Sequence, residues 1–207
     1  DTFSSRGLGD VYKRQPGSYR LTSNIDVSDE STPENVTAID INTTDVHIDL
    51  NGFAIIGPVT GCPNSCTPST GTGNGIDAGN HNNITISNGT IRGMGAYGLN
   101  MAGRVTVSQV HATGNRIDGM FIGNNSAVTS SRVTANAGDG IDANNGATLA
   151  HNVVAENGED GVECSTGCTV THNTVSSNGG HGITVGAGSH VRQNTLSLIH
   201  ISEPTRR

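Results

Sequence analysis

Apolar positions recur along this chain at a step that belongs to neither an α-helix nor an ordinary sheet. Six glycine and apolar pairs, Gly75-Ile76, Gly98-Leu99, Gly119-Met120, Gly140-Ile141, Gly161-Val162 and Gly182-Ile183, have glycine separations of 23, 21, 21, 21 and 21 residues. A second apolar column (Ile86, Val107, Val128, Leu149, Val170, Val191) and a third (Ile91, Ala112, Val133, Val154, Val175) keep the same step. Each repeat thus carries three short β-type segments, too brief for helices and punctuated by Gly and Asn. If each repeat is one coil, its strands lie on those of the next coil ~4.8 Å away. Equivalent residues then stack, and each inward column becomes a stripe of core that a single coil could not bury alone. The pattern predicts an all-β solenoid: a right-handed single-stranded parallel β-helix with three short strands per coil and coils of 21 residues.

Upstream the period loosens but the style persists. GSYRLTSNIDV, AIDI (Ala38 to Ile41) and VHIDLNGFAII (Val46 to Ile56) alternate apolar and polar residues with period two and read as the first coils. Between Gly57 and Gly73 the sequence PVTGCPNSCTPSTGT, with three prolines, reads as a projecting loop, and its length makes it a candidate binding feature. Asn115, Asn136, Asn157 and Asn178 stack at intervals of 21, placing an amide at one bend where side chains can hydrogen-bond up and down a ladder. The glycine before each apolar residue is read as allowing a bend with positive φ.

The two ends do not share the pattern. Ser5 to Gln15, SRGLGDVYKRQ, and Leu196 to Arg207, LSLIHISEPTRR, match translations of transposase sequencing-adaptor DNA. Residues 1–15 and 196–207 are therefore expected to be non-native, with the natural domain at 16–195 truncated at both ends and any signal peptide outside it. Five of the eleven basic residues and three of the eighteen acidic ones fall in those ends. The remainder has six basic against fifteen acidic side chains, a net charge of −9, and no lysine. An acidic surface with scattered arginines argues against nucleic acid or anionic membrane as partner. No apolar run approaches the ~20 residues of a transmembrane span.

Candidate chemistry sits on the outward columns. Immediately before the glycines stand Asp118, Asp139, Asp160 and His181, and two positions after them stand Asn100, Phe121, Asp142, Glu163 and Thr184. Five carboxylates gather on one wall. On adjacent coils they would sit near the ~5 Å separation of retaining glycosidases, and two coils apart just past the ~6.5–9.5 Å of inverting ones. Crowding raises the pKa of at least one, as an acid catalyst requires. Asp118, Asp139, Asp160, His181 and Arg116 are the candidate catalytic residues, Arg116 with Asp118 being the most usable cation and carboxylate pair. Phe121, Asp142, Glu163 and Asn100 are the candidate substrate-binding residues, Phe121 offering a sugar ring an apolar face. An Asp before Gly at a bend can equally serve by accepting backbone amides. Calcium is the one candidate ion, because stacked carboxylates and turn carbonyls supply the oxygens it prefers, although no recognised calcium-loop spacing is present. His151 and His172 share a column and are read as stacked rather than metal-binding.

Cys62 and Cys66 lie in the loop, where a disulfide would staple a segment with little core. Cys164 falls on an inward column and is either a buried thiol or a partner of Cys168. The two Cys-x-x-x-Cys pairs lack zinc-site spacing and favour an oxidising compartment.

The runs GSYRLTSNI, VHIDLNGFAIIG and GNGIDAGNHNNITISNGTIRGMGAYGL resemble the opening coils of right-handed parallel β-helix repeat proteins of the pectate-lyase-like superfamily, and the resemblance covers residues 16–195. It implies the fold. The superfamily includes polysaccharide lyases, polygalacturonase-type hydrolases, mannuronan epimerases and proteins without known chemistry, so activity must be argued from the site. Gly180-His181-Gly182 is similar to the Gly-His-Gly of polygalacturonases, but that family's paired aspartates are not found on the coils beneath it. A lyase or epimerase would need a base and a cation, for which this chain offers arginines and histidines only. The expectation is a secreted, cell-surface or periplasmic β-helix that binds an extracellular polysaccharide, with cleavage or epimerisation left open. The alternatives are a non-catalytic structural or adhesive solenoid and a periplasmic metal-assembly accessory protein.

Overall fold

Short strands separated by forced bends produce a coil that climbs by one strand spacing per turn. The computed structural model describes residues 15–197 in full and the backbone of residues 2–3 and 11–13. Most of the two terminal segments matched to adaptor DNA lies outside the described residues. Thr2–Phe3 pairs with Arg20 and Leu21, Val11–Lys13 with Ile39–Ile41, and Thr195–Ser197 with Thr174–Ser176. The chain is an all-β right-handed parallel β-helix of about six turns, and its described helix is a single 3-10 turn at Pro33–Asn35.

Every coil presents three faces. The first is an eight-stranded parallel sheet whose successive strands include Ile76–Gly79, Leu99–Met101, Met120–Ile122, Ile141–Ala143, Val162–Cys164 and Ile183–Val185. The second and third belong to one folded sheet, because Ile84–Arg92 and Val105–Thr113 run unbroken through both. In later coils each such strand divides in two, as at Ala127–Thr129 and Arg132–Thr134. The register steps by 21, with Leu99 paired to Met120, Met120 to Ile141 and Ile141 to Val162.

The three apolar columns line the interior. Ile76, Leu99, Met120, Ile141 and Val162 are fully buried, as are Ile86, Val107, Val128, Leu149 and Val170, and Ile91, Ala112, Val133, Val154 and Val175. Burying each large aliphatic side chain contributes roughly 1.5–3 kcal/mol. Val191, in the last described coil, is exposed.

The repeat glycines are not there for positive φ, contrary to the sequence expectation. Gly75, Gly98, Gly119, Gly140, Gly161 and Gly182 all lie outside that region. The left-handed residues are others, and among them are Asn88, Gln109, Ser130, His151, His172 and Gln193 between the second and third faces; Gly93, Gly114, Ala135, Glu156 and Ser177 between the third and first; Asn125, Gly146, Gly167 and Gly188 between the first and second. What fixes the repeat glycines is space. A Cβ on Gly119 would overlap Val133 Cγ1 and lie 2.7 Å from Asn136 Nδ2, and one on Gly161 would lie 2.5 Å from both Asn178 Nδ2 and Val175 Cγ1.

Amide ladders close the bends. Asn115, Asn136, Asn157 and Asn178 are buried, and each Nδ2 donates to the Oδ1 of the next at 2.8, 2.9 and 3.0 Å, while each Oδ1 also accepts the preceding Asn's backbone N–H. A second ladder, Asn152, Asn173 and Asn194, does the same at the bend between the second and third faces. His151 and His172 stack there with ring centroids 4.8 Å apart.

Two insertions gather at the bend between the third and first faces. The carbonyl of Glu34, in the 3-10 turn, accepts the N–H groups of Thr72 and Gly73. The loop of residues 57–73 folds back on itself through a Thr60–Thr67 antiparallel bridge and a Cys62–Cys66 disulfide. Cys164 and Cys168 are also joined, so the alternative of a lone buried thiol does not hold.

Candidate functional site

The first face carries two outward columns, and both begin earlier than the acidic residues alone suggest. Along the bend the column reads Asn74, Tyr97, Asp118, Asp139, Asp160 and His181. Along the strands it reads Asp77, Asn100, Phe121, Asp142, Glu163 and Thr184, with the pairs Asn100–Phe121, Phe121–Asp142, Asp142–Glu163 and Glu163–Thr184 in register. The structure therefore brings eight of the nine predicted site residues onto one wall and adds Asn74, Tyr97 and Asp77. The signal for these three was their place before or after Gly75 and Gly98.

The bend column is a ladder of side chain to backbone bonds. Asp118 Oδ1 accepts the N–H of Asp139 at 2.8 Å, Asp139 Oδ1 that of Asp160 at 2.7 Å, and Asp160 Oδ1 that of His181 at 2.6 Å. At this bend the coil's N–H has no carbonyl of its neighbour to reach, and the carboxyl oxygen supplies the acceptor. Asn74 Oδ1 does the same for Tyr97 at 3.1 Å, so a neutral amide also satisfies the geometry. Asp160 Oδ2 additionally accepts the Thr184 hydroxyl at 2.5 Å, and His181 Nδ1 stands 3.4 Å from Asp160 Oδ1.

Burial sets the electrostatics. Asp118 and Asp139 are each 8% exposed. Desolvation pushes the Asp118 carboxyl up to about 6 and the Asp139 carboxyl up to about 7, the bond from the next coil's amide opposing the rise and neighbouring carboxylates adding to it. Asp142 is raised by desolvation and by Glu163. Tyr97 is raised by burial first and then by Asp118 and Asp142, with the Arg116 charge opposing the rise, which places its phenol within reach of both carboxylates and of that guanidinium. Its ring lies 6.1 Å from that of Phe121, tilted by 50°, and both rings are half-buried. Asp77 Oδ2 accepts the amides of Asn74 at 2.7 Å and Asn100 at 2.9 Å, which holds those two side chains in place.

Arg116 is placed differently from the expected partner of Asp118. Its Nε donates to the Gly95 carbonyl at 2.5 Å and its guanidinium to the Gly71 carbonyl at 2.7 Å, and the ion pairs among the described residues are Arg20–Asp49 and His181–Asp160. The guanidinium thus fastens the end of the 57–73 loop to the solenoid.

Compared with family models, residues 64–196 match the one described as right handed beta helix region. The chain belongs to this family. None of the curated proteins compared with it matches. Among solved structures, the A-module of the Azotobacter vinelandii mannuronan C-5 epimerase AlgE4 is similar at 14% identity and a TM-score of 0.46, covering 88% of this chain and 68% of that one. As a member of the right-handed β-helix family the chain presents long, regular outward columns, and its chemistry is that of the side chains placed there. Among the described residues no helix is long and apolar enough to cross a membrane, and no group of three or more His, Cys, Asp or Glu is arranged to hold a metal ion.

Proposed function

We propose that the protein binds an extracellular polysaccharide along the outward wall of its first face. The observation that carries this reading is the in-register row of Asn100, Phe121, Asp142, Glu163 and Thr184, with Tyr97 packed beside Phe121. Amide, carboxylate and hydroxyl groups repeat there at one strand spacing, ~4.8 Å, beside an aromatic surface, which suits a chain of sugar rings with apolar faces and polar rims. The two disulfides fit a secreted, cell-surface or periplasmic location.

A second reading adds turnover of the bound chain. Asn74 fills with a neutral amide the role that Asp118, Asp139 and Asp160 fill with carboxyls, so the bend does not by itself require acids. Asp139, held at about 7 with Glu163 nearby, has the pKa of a general acid at neutral pH. Lyase, glycoside hydrolase and uronan epimerase chemistry would each use such a group.

The test is a polysaccharide panel on the full chain, with and without calcium, scoring retention, reducing-end release and unsaturated-product absorbance. Binding predicts retention on at least one polymer that is lost in Asp142→Asn. Turnover predicts product formation that Asp139→Asn abolishes while the protein stays folded. A folded protein retained by no polymer contradicts the binding reading.

A further inference from the structure

The 57–73 loop does not stand free of the solenoid. Its tip, Pro63 and Asn64, faces the bend of three coils nearly one hundred residues later in the chain. Between them runs an open groove of about 650 Å³, bounded by Pro63 and Asn64 on one side and by Glu156, Gly158, Ser177 and Gly179 on the other. That volume lies within the roughly 300–1,000 Å³ of small-ligand sites. Gly158 and Gly179 come two residues before Asp160 and His181, so the groove opens directly beside the acidic column.

We infer that this groove is a second carbohydrate subsite, specific for a neutral sugar unit, with the disulfide-closed loop as its outer wall. The inference rests on the polysaccharide reading above and narrows its substrate class. Four observations carry it. The loop tip is closed by the Cys62–Cys66 disulfide and the Thr60–Thr67 bridge, so one wall is preformed. The floor is bare backbone, since a Cβ on Gly158 or Gly179 would overlap the carbonyl of the coil before it. The floor amides are already bonded, Gly158 to the Asn136 carbonyl and Gly179 to the Asn157 carbonyl, both at 2.8 Å, so an extended peptide has no free edge to join. Lastly, the polar groups offered are the Asn64 amide, the Ser177 hydroxyl and the Glu156 carboxylate, and among the described residues no lysine or arginine lines the groove. Hydroxyl groups satisfy that set. A uronate or sulfate would meet the Glu156 carboxylate and, among the described lining residues, find no cation to pair with.

The probes are neutral hexasaccharides of several linkages (β-1,4-glucan, β-1,4-mannan, β-1,4-xylan and α-1,4-glucan) and hexagalacturonate, titrated into the full chain by calorimetry and amide NMR. The expected result is that a neutral hexasaccharide binds, shifts the Gly158 and Gly179 amides, and binds about tenfold more weakly to Asn64→Ala, the effect of losing about one hydrogen bond. The Cys62→Ser, Cys66→Ser double variant should weaken binding similarly while the solenoid's circular dichroism is unchanged. If a neutral hexasaccharide moves only first-face amides such as Phe121 and Asp142 and is indifferent to Asn64→Ala, the subsite is overturned and the wall reading survives. Tighter binding of hexagalacturonate, or binding of no neutral hexasaccharide, overturns the assigned class.

Discussion

Asp118 and Asp139 are joined by a bond from the backbone N–H of one to the carboxyl oxygen of the other, at 2.8 Å across one coil step, and both side chains are almost wholly buried. The same side chains that close the bend therefore carry acids withdrawn from water, and the titration of these acids is a property of the fold as well as of the wall.

Stability should fall as pH rises from 5 to 8. In the unfolded chain aspartates titrate near about 3.9, whereas folding raises Asp118 to about 6 and Asp139 to about 7. The folded state binds more protons in that window, so the contribution is complete below about pH 4 and is lost as pH rises through the two folded values. Discounting for partial solvent contact, the loss is on the order of 3 kcal/mol. Asp139→Asn keeps an oxygen for the Asp160 N–H, so it should flatten the profile and raise the melting temperature at pH 8. Urea unfolding followed by circular dichroism across pH 5–8 checks both, and a wild-type stability that increases with pH would contradict the account.

Glycine should matter most where the chain is crowded rather than where φ is positive. Gly119→Ala places a methyl group against Val133 and Asn136 and should cost about 3 kcal/mol or more. Gly167, with φ of +70° and nothing within 4 Å of the point a Cβ would occupy, stands in the column where Asn125 already adopts φ of 55°. Gly167→Asn should cost less than about 1 kcal/mol. Chemical denaturation of the two variants separates the explanations, and the reverse ranking would restore a conformational role for the repeat glycines.

The contrast shows what the sequence could and could not carry. A step of 21 was enough to place every coil from Gly75 onward, because stacked apolar columns are the only way such short strands bury anything. It also located Asp118, Asp139, Asp142 and Glu163 on one wall. The step gave the position of Gly119 but not its cause, since crowding by Val133 is a contact between faces that no column records. Tyr97 and Asn74 escaped notice because they break the acidic character of their column while keeping its register. The groove under the 57–73 loop had no periodic signal at all, for Asn64 and Ser177 come to line one groove only through the packing of an insertion.

Buried amides should be far more costly to remove than exposed ones of the same period. Asn136→Ala leaves the Asn115 backbone N–H and Nδ2 without their acceptor inside the bend and should cost about 2–4 kcal/mol. Asn145 bonds to Asn124 at the exposed bend between the first and second faces, and Asn145→Ala should cost less than about 1 kcal/mol. Melting temperatures of the pair test this directly, equal losses being incompatible with the ladder's energetic role.

Affinity electrophoresis through gels containing single polysaccharides tests the central claim most directly, comparing the wild type with Phe121→Ala and with Thr148→Ala, an exposed position on the second face. A first-face binding wall predicts retardation in at least one polymer, a loss of affinity of about tenfold in Phe121→Ala, and wild-type behaviour in Thr148→Ala. Retardation that Phe121→Ala leaves untouched, or that Thr148→Ala abolishes, would place binding elsewhere on the solenoid and contradict the account.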